Sequence, residues 1–264
     1  MQSGAIRPIP NMLPRKLFTS EHEAFRETVR KFYEKEVVPN IEKYEKQQHV
    51  DRDLWNKAGE LGLLCTTMPE QYGGSGVDRL YSMILIEEQA YAMDSSTGFS
   101  LHSDIVANYI NNFGNEEQKQ KWLPKMATGE TVTAIAMTEP GTGSDLQAVR
   151  TTAALDGDEY VINGSKIFIT NGYLCDMAIV VCKTGNNEKG SANLSLIIVE
   201  ADRAGFSKGK PLNKIGMKGQ DTCELFFDNV RVPKENLLGM EGMGFIMLMK
   251  ELAWERMLVA IICQ

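Results

Sequence analysis

"AIAMTEPGTGSD", Ala134–Asp145, is the stretch at which the character of the chain changes. It begins as a short strand-like run and breaks into a turn of Pro140, Gly141, Thr142, Gly143 and Ser144. Before it the apolar residues recur at helical spacing; after it come short β-rich runs. A corner needs few small residues, so a run of them suggests that something comes close to the backbone. Phosphate is the obvious guess, yet neither common phosphate fingerprint is present. Gly141 and Gly143 give G-x-G, but Leu146 stands where the third glycine of a dinucleotide fingerprint belongs, and the turn has no P-loop lysine. On spacing alone, a tight turn at the rim of a β-barrel is the plainer reading.

Upstream, Ser20 and Glu23 have the S-x-x-E spacing of a capping box, and Phe25, Val29, Phe32 and Val37 follow at helical spacing. A second helix is predicted over about residues 51–61, with Leu54, Trp55, Ala58 and Leu61 on one side. "PEQYGGSG", Pro69–Gly76, reads as a loop. A third helix over about 80–93 has apolar residues nearly all round and is expected to be central. More helix is predicted over about 102–113 and 116–126. Downstream, Asp156-Gly157 and Asn163-Gly164 are hairpin signals, each between short β-rich runs. "YVIN", "KIFIT", "MAIVVC", "LSLIIV" and "ELFFDNVRV" are all strand-like. From about Gly242 the pattern returns to helix and runs to Gln264 without a stop signal. The order is not the alternating βαβ of a dinucleotide-binding fold. It implies an α+β chain: helices first, then a β domain of about 100 residues, then helix again.

Of the 264 residues, 43% are hydrophobic and 24% charged, the mix of an ordinary globular protein. The net charge of −7 argues against a nucleic-acid partner or an anionic membrane surface, so an anionic ligand must be held by local groups. No apolar run approaches the ~18 residues that span a bilayer. The amino end, "MQSGAIRPIPN", lacks the apolar core of a secretory signal, while a removed presequence stays open. Cys65, Cys175, Cys182, Cys223 and Cys263 form no CxxC pair, and their odd number suggests a reducing compartment. His22, His49 and His102 are scattered, so neither a metal site nor a Ser-His-Asp triad is expected. Lys208, Lys210, Lys214 and Lys218 could meet a phosphate but read better as a solvated face.

At "MTEPGTGSDLQ" the chain resembles the acyl-CoA dehydrogenases. "FRETVRKFYEKEVVPN", "GLLCTTMPEQYGGSG", "EEQAYAMDSS", "NGSKIFITNG", "GQDTCELFFDNVRVP" and "MKELAWERMLVA" are similar to segments of that family, in the family's order, from about Leu13 onward. The long-chain branch is the nearest match. The resemblance implies a multidomain chain of three parts: an all-α domain over 13–130, a middle β-barrel over 131–240 and, at 241–264, the first helix of an incomplete four-helix bundle that continues well past Gln264. It also supplies a ligand for the small-residue turn, FAD. The implied flavin site comprises Ile135, Ala136, Met137, Thr138, Gly141, Thr142, Gly143 and Ser144, together with Phe168, Ile169 and Thr170. Thr138 is expected to hydrogen-bond the isoalloxazine ring, Ser144 to contact the phosphates, Phe168 to pack beside the ring and Thr170 to bond near its N5. The implied substrate contacts are Ser144, Ile246, Ala253, Trp254 and Arg256; Ile246 departs from the aromatic residue of the long-chain branch.

The implied reaction is α,β-dehydrogenation of a long-chain or branched acyl-CoA to trans-2-enoyl-CoA. A base removes the α-proton as the β-hydrogen leaves as hydride to the flavin. Most of the family carries that base far downstream. The long-chain and isovaleryl branches carry it in a Leu-x-x-Glu-Arg context, matched here by Leu252, Glu255 and Arg256, so Glu255 is the expected base. The resemblance further implies an electron-transfer flavoprotein as acceptor and a homotetramer. The implied place is the mitochondrial matrix in a eukaryote or the cytoplasm in a bacterium. Part of the oxyanion site belongs to the absent bundle, so little turnover is expected from these residues by themselves. Two alternatives stand beside this reading: an acyl-CoA oxidase-like flavoenzyme and a truncated, non-catalytic chain of the same family.

Overall fold

The computed structural model describes residues 16–185 and 193–263; the expectations about the amino end and Gln264 lie outside them. Helix α1 spans Ser20–Phe32. Its cap lies one residue earlier than the sequence spacing suggests. Thr19 is extended (φ −86°, ψ 175°); its backbone N–H donates to His22 Nδ1 at 3.1 Å and its Oγ1 accepts from the His22 N–H. Ser20 is already helical, and Glu23 is engaged by Arg26 at 3.2 Å instead of reaching back to the cap. Helices α2 (Ile41–Gln47) and α3 (Arg52–Glu60) follow, and α4 (Arg79–Tyr91) runs against α1. The central position of α4 is marked by a buried carboxylate. Glu88 accepts from Arg26 at 3.1 Å and from Arg30 at 2.9 Å, two charge-assisted contacts that offset its desolvation.

Leu54, Trp55 and Ala58 of α3 are buried with Val29, Phe32 and Phe99 in one core. Leu61 departs from that side: α3 ends at Glu60, and Leu61 is half-exposed. The fit of α3 is tight at Gly59, where an added Cβ would lie 2.2 Å from the Thr128 carbonyl oxygen. Gly59→Ala is therefore expected to destabilise the protein by about 1–3 kcal/mol through overpacking, read as a lower urea midpoint with an unchanged slope.

A π-helical turn, Leu101–Val106, leads into α5 (Ala107–Phe113), and α6 covers Glu116–Ala127. His102 joins this helical part to the strands. Its Nε2 donates to the Met126 carbonyl at 3.0 Å, while Nδ1 accepts from the Thr133 N–H at 3.2 Å. Full burial pushes its pKa down to about 4, so it stays neutral and keeps one donor and one acceptor.

Strands β1 (Thr133–Ala136), β2 (Thr152–Asp156), β3 (Glu159–Thr170), β4 (Met177–Lys183), β5 (Leu194–Glu200), β6 (Phe206–Lys208), β7 (Thr222–Pro233) and β8 (Leu237–Leu238) form one sheet. The order is β6-β7-β3-β2-β4-β5-β8, and β1 pairs with β4 in parallel. The Asp156-Gly157 turn joins β2 to β3 as the sequence predicts, with Asp156 paired to Glu159. Asn163-Gly164 does not turn the chain. It lies within β3 at a register shift, so "YVIN" and "KIFIT" are one strand. Gly164 is needed there because Thr151 crosses its backbone: an added Cβ would lie 2.5 Å from Thr151 Oγ1, and φ is +151°.

One sheet face, with Ala134, Ile162, Val180, Ile197 and Leu225, closes on itself as a single core, so the sheet curls. The other, with Ile135, Ile179, Val181 and Leu196, packs on Ile110 and Leu123 of α5 and α6. Both faces of β4 and β5 are thus covered, which accounts for their unbroken apolar runs. Helix α7, Gly244–Ile262, then crosses back to pack on α4 and α5. Among the described residues no helix is long and apolar enough to cross a membrane, and no His/Cys/Asp/Glu group is placed to hold a metal ion.

Candidate active site

The turn after β1 and the middle of β3 are brought together by backbone. The Ile167 N–H donates to the Thr138 carbonyl at 2.9 Å, and Lys166 Nζ donates to the Met137 carbonyl at 3.0 Å. Lys166 and Glu139, both buried, form an ion pair at 2.9 Å. Glu139 also accepts from the N–H groups of Arg150 (2.7 Å) and Thr151 (2.9 Å) and from Thr151 Oγ1 (2.6 Å). Burial pushes the Glu139 carboxyl up, but Lys166 and these donors outweigh it and hold it below its usual 4.5. This pair fixes the first half of the turn; neither residue stood out in the sequence, where each is a lone charge among uncharged neighbours.

The pair also sets a pH dependence. A carboxyl held low in the folded state adds stability above its unfolded value of 4.5, and that stability is lost as pH falls through the lower folded value. Lys166→Met, which strands the buried carboxylate, is expected to cost about 3–5 kcal/mol near neutral pH. The deficit, measured by urea unfolding across pH, shrinks toward acid as Glu139 becomes protonated.

Beyond the pinned half, Gly141, Gly143 and Ser144 are exposed, and their N–H groups have no hydrogen-bond partner among the described residues. A Cβ added at Gly141 or Gly143 would meet nothing within 4 Å, and neither has a φ that excludes side chains. The chain's own packing therefore does not call for glycine at either place. The turn leaves room for a group outside the chain, and its free N–H donors suit an anionic one. Thr142, between them, is buried and donates through Oγ1 to the Ala148 carbonyl at 3.0 Å, so its side chain braces the turn from behind.

Phe168 stands at the second register shift of β3, between Lys166 and Ile169. Its φ is +61°, and the residue is 63% exposed. An aromatic residue in the left-handed region costs about 1–3 kcal/mol and is held there by its surroundings. The strain turns a large apolar face outward beside the glycine turn. Ile135, Ala136 and Ile169 are buried in the sheet cores, so toward a ligand they offer mainly backbone. Met137, Thr138 and Thr170 are half-buried at the same edge.

The second group lies on α7. Tyr109 Oη, from a fully buried ring on α5, donates to Glu255 Oε1 at 2.8 Å. One turn back, Glu251 accepts from Asn112 Nδ2 at 2.9 Å. Burial pushes the Glu255 carboxyl above its usual range; the Tyr109 bond pulls it down, and Glu251 adds to the rise. A carboxylate so placed is a stronger base than one in water. Trp254 is half-buried, with the Arg79 guanidinium 4.2 Å from its ring centroid. Ile246, Ala253 and Arg256 are exposed. Tyr109, Asn112 and Glu251 escaped the sequence reading, because a Tyr in an apolar helix reads as core.

The lysine cluster is only partly solvated. Lys208 donates to the carbonyls of Tyr173 (3.1 Å) and Cys175, and Lys214 to Gln220 and to Thr222 Oγ1 (2.8 Å). Lys208 thus ties β6 to the segment before β4 and Lys214 ties the 209–221 loop to β7, so of the four only Lys210 and Lys218 are exposed.

Two family models match: the acyl-CoA dehydrogenase N-terminal domain over residues 19–130 and the acyl-CoA dehydrogenase middle domain over residues 134–230. The chain belongs to the acyl-CoA dehydrogenase family. It is 50% identical over 261 residues to the mitochondrial long-chain specific acyl-CoA dehydrogenase of Sus scrofa, covering 98% of this chain and 61% of that enzyme. An acyl-CoA dehydrogenase structure from Geobacillus kaustophilus superposes with a TM-score of 0.92 at 49% identity, covering 94% of this chain and 66% of that one. An acyl-CoA dehydrogenase from Bacillus anthracis, solved in complex with FAD, superposes at 0.86 and 38% identity, covering 94% and 43%. The chain thus spans under two thirds of the length of these acyl-CoA dehydrogenases.

Proposed function

We propose that the protein carries out FAD-dependent α,β-dehydrogenation of a long-chain or branched acyl-CoA to the trans-2-enoyl-CoA. The observation that carries this reading is the pair of glycines that the chain's own packing does not require, set beside a strained, outward-facing Phe168. That edge suits a flat aromatic ring system joined to phosphates, and a relative of the same fold is solved with FAD. Bound FAD supplies the hydride acceptor.

The chain's residues do the rest. Gly141, Gly143 and Ser144 present N–H donors to the pyrophosphate, and Phe168, Thr138 and Thr170 border the ring. Glu255 takes the α-proton; partial burial raises its basicity, and substrate that covers it excludes water further. Trp254, Ala253, Arg256, Ile246 and Ser144 are assigned to the substrate. The reading extends to an electron-transfer flavoprotein as acceptor, a homotetramer, and a place in the mitochondrial matrix of a eukaryote, like the mitochondrial Sus scrofa relative, or the cytoplasm of a bacterium.

The test is the full-length protein with an anaerobic dye acceptor on one side and oxygen on the other. Acyl-CoA-dependent dye reduction without peroxide, by a protein with one flavin per chain, supports the dehydrogenase. Stoichiometric peroxide in air would move the assignment to an oxidase.

A further inference from the structure

We propose that Tyr109 is a positioning residue that aims Glu255 and keeps it ionised, opposed by Glu251 one turn away. The inference rests on Glu255 being the base. Three observations carry it. Tyr109 belongs to the apolar core of α5, so its ring cannot swing, and its hydroxyl is spent on Glu255 Oε1 at 2.8 Å. Glu251 and Glu255 sit at i and i+4, on one face of α7. Asn112, nearly one turn after Tyr109 on α5, gives its amide to Glu251 at 2.9 Å. Thus α5 supplies one donor to each of two stacked carboxylates, and each acid has a fixed address.

The groups around Glu255 leave this role to Tyr109. From α4, Arg79 is stacked on the Trp254 ring. From the π-helical turn, Asp104 accepts from Ser82. From β5, Leu194 and Ser195 lie against the start of α7, at Gly244. Lys250 and Arg256 are exposed. Burial and the neighbouring Glu255 carboxylate hold the Tyr109 phenol far above its usual 10, so it remains a proton donor at every working pH. A phenol that donates to a carboxylate favours the charged form; a second carboxylate at helical spacing disfavours it. Burial raises the base first, and the two neighbours then push its titration in opposite directions.

The opposition gives the test a sign. In the full-length, flavin-loaded protein, Tyr109→Phe is expected to move the acid limb of flavin reduction to higher pH and to slow reduction below that limb by roughly tenfold. Substrate affinity stays unchanged. Glu251→Gln, which keeps an oxygen for Asn112, moves the limb to lower pH. Independently of turnover, the protonated-carboxyl infrared band that disappears in Glu255→Gln appears at higher pH in Tyr109→Phe and at lower pH in Glu251→Gln. If both variants leave the limb and the band in place and only lower Tm, Tyr109 is packing and the inference fails while the base assignment stands. Shifts in the same direction overturn it as well. If Glu255→Gln itself bleaches normally, the base lies elsewhere and both readings fall.

Discussion

Glu255→Gln, in the full-length flavin-loaded protein, slows flavin bleaching by acyl-CoA by at least ~10²-fold, the low end of a general base's contribution. Glutamine keeps the volume and can still accept the Tyr109 hydroxyl at its carbonyl oxygen, so the α7–α5 contact survives. What it loses is the carboxylate's charge and second oxygen, and an amide is too weak a base to take the α-proton. Flavin content and Tm are expected to match the parent, because Glu255 is a half-buried side chain that keeps its hydrogen bond with Tyr109. Stopped-flow absorbance separates the outcomes: a large fall in rate with unchanged affinity identifies the base, and near-normal bleaching removes Glu255 from the chemistry.

Gly143→Val produces a folded protein without flavin. The expected loss is close to complete, since a branched side chain would occupy the space where the phosphates approach. Folding is spared for a reason visible in the structure: a Cβ at residue 143 meets nothing within 4 Å, and the backbone there is not left-handed. The contrast with Gly59 is the useful control. There a Cβ would lie 2.2 Å from a carbonyl oxygen, so that alanine variant loses stability rather than cofactor. Visible absorbance per chain, read beside the far-UV spectrum, checks both. A Gly143→Val protein that purifies with one flavin per chain would place the phosphates elsewhere.

The helical half is legible from its period and the β half from its short apolar, β-rich runs. Val29, Phe32, Leu54, Trp55 and Ala58 follow the helical spacing and are all buried, and "MAIVVC" and "LSLIIV" became neighbouring strands. What failed was local chemistry that depends on distant partners. Asn163-Gly164 has the composition of a hairpin turn, yet the glycine serves the approach of Thr151 to a continuous strand. Ser20-x-x-Glu23 has the spacing of a cap, yet Thr19 and His22 form it, and Arg26 has drawn Glu23 away. The small-residue turn announced a close approach without naming the ligand; family resemblance named it. Lys166, Glu139 and Tyr109 were silent, because a buried charge or phenol is visible only once its partner is placed.

The most direct test of the central proposal is an anaerobic titration of the full-length protein with a long-chain acyl-CoA, following the flavin spectrum and the enoyl product together. The account predicts bleaching that ends at one equivalent, with one enoyl-CoA formed per flavin. A flavin spectrum left unbleached by saturating acyl-CoA, or a protein that carries no flavin at all, would contradict it.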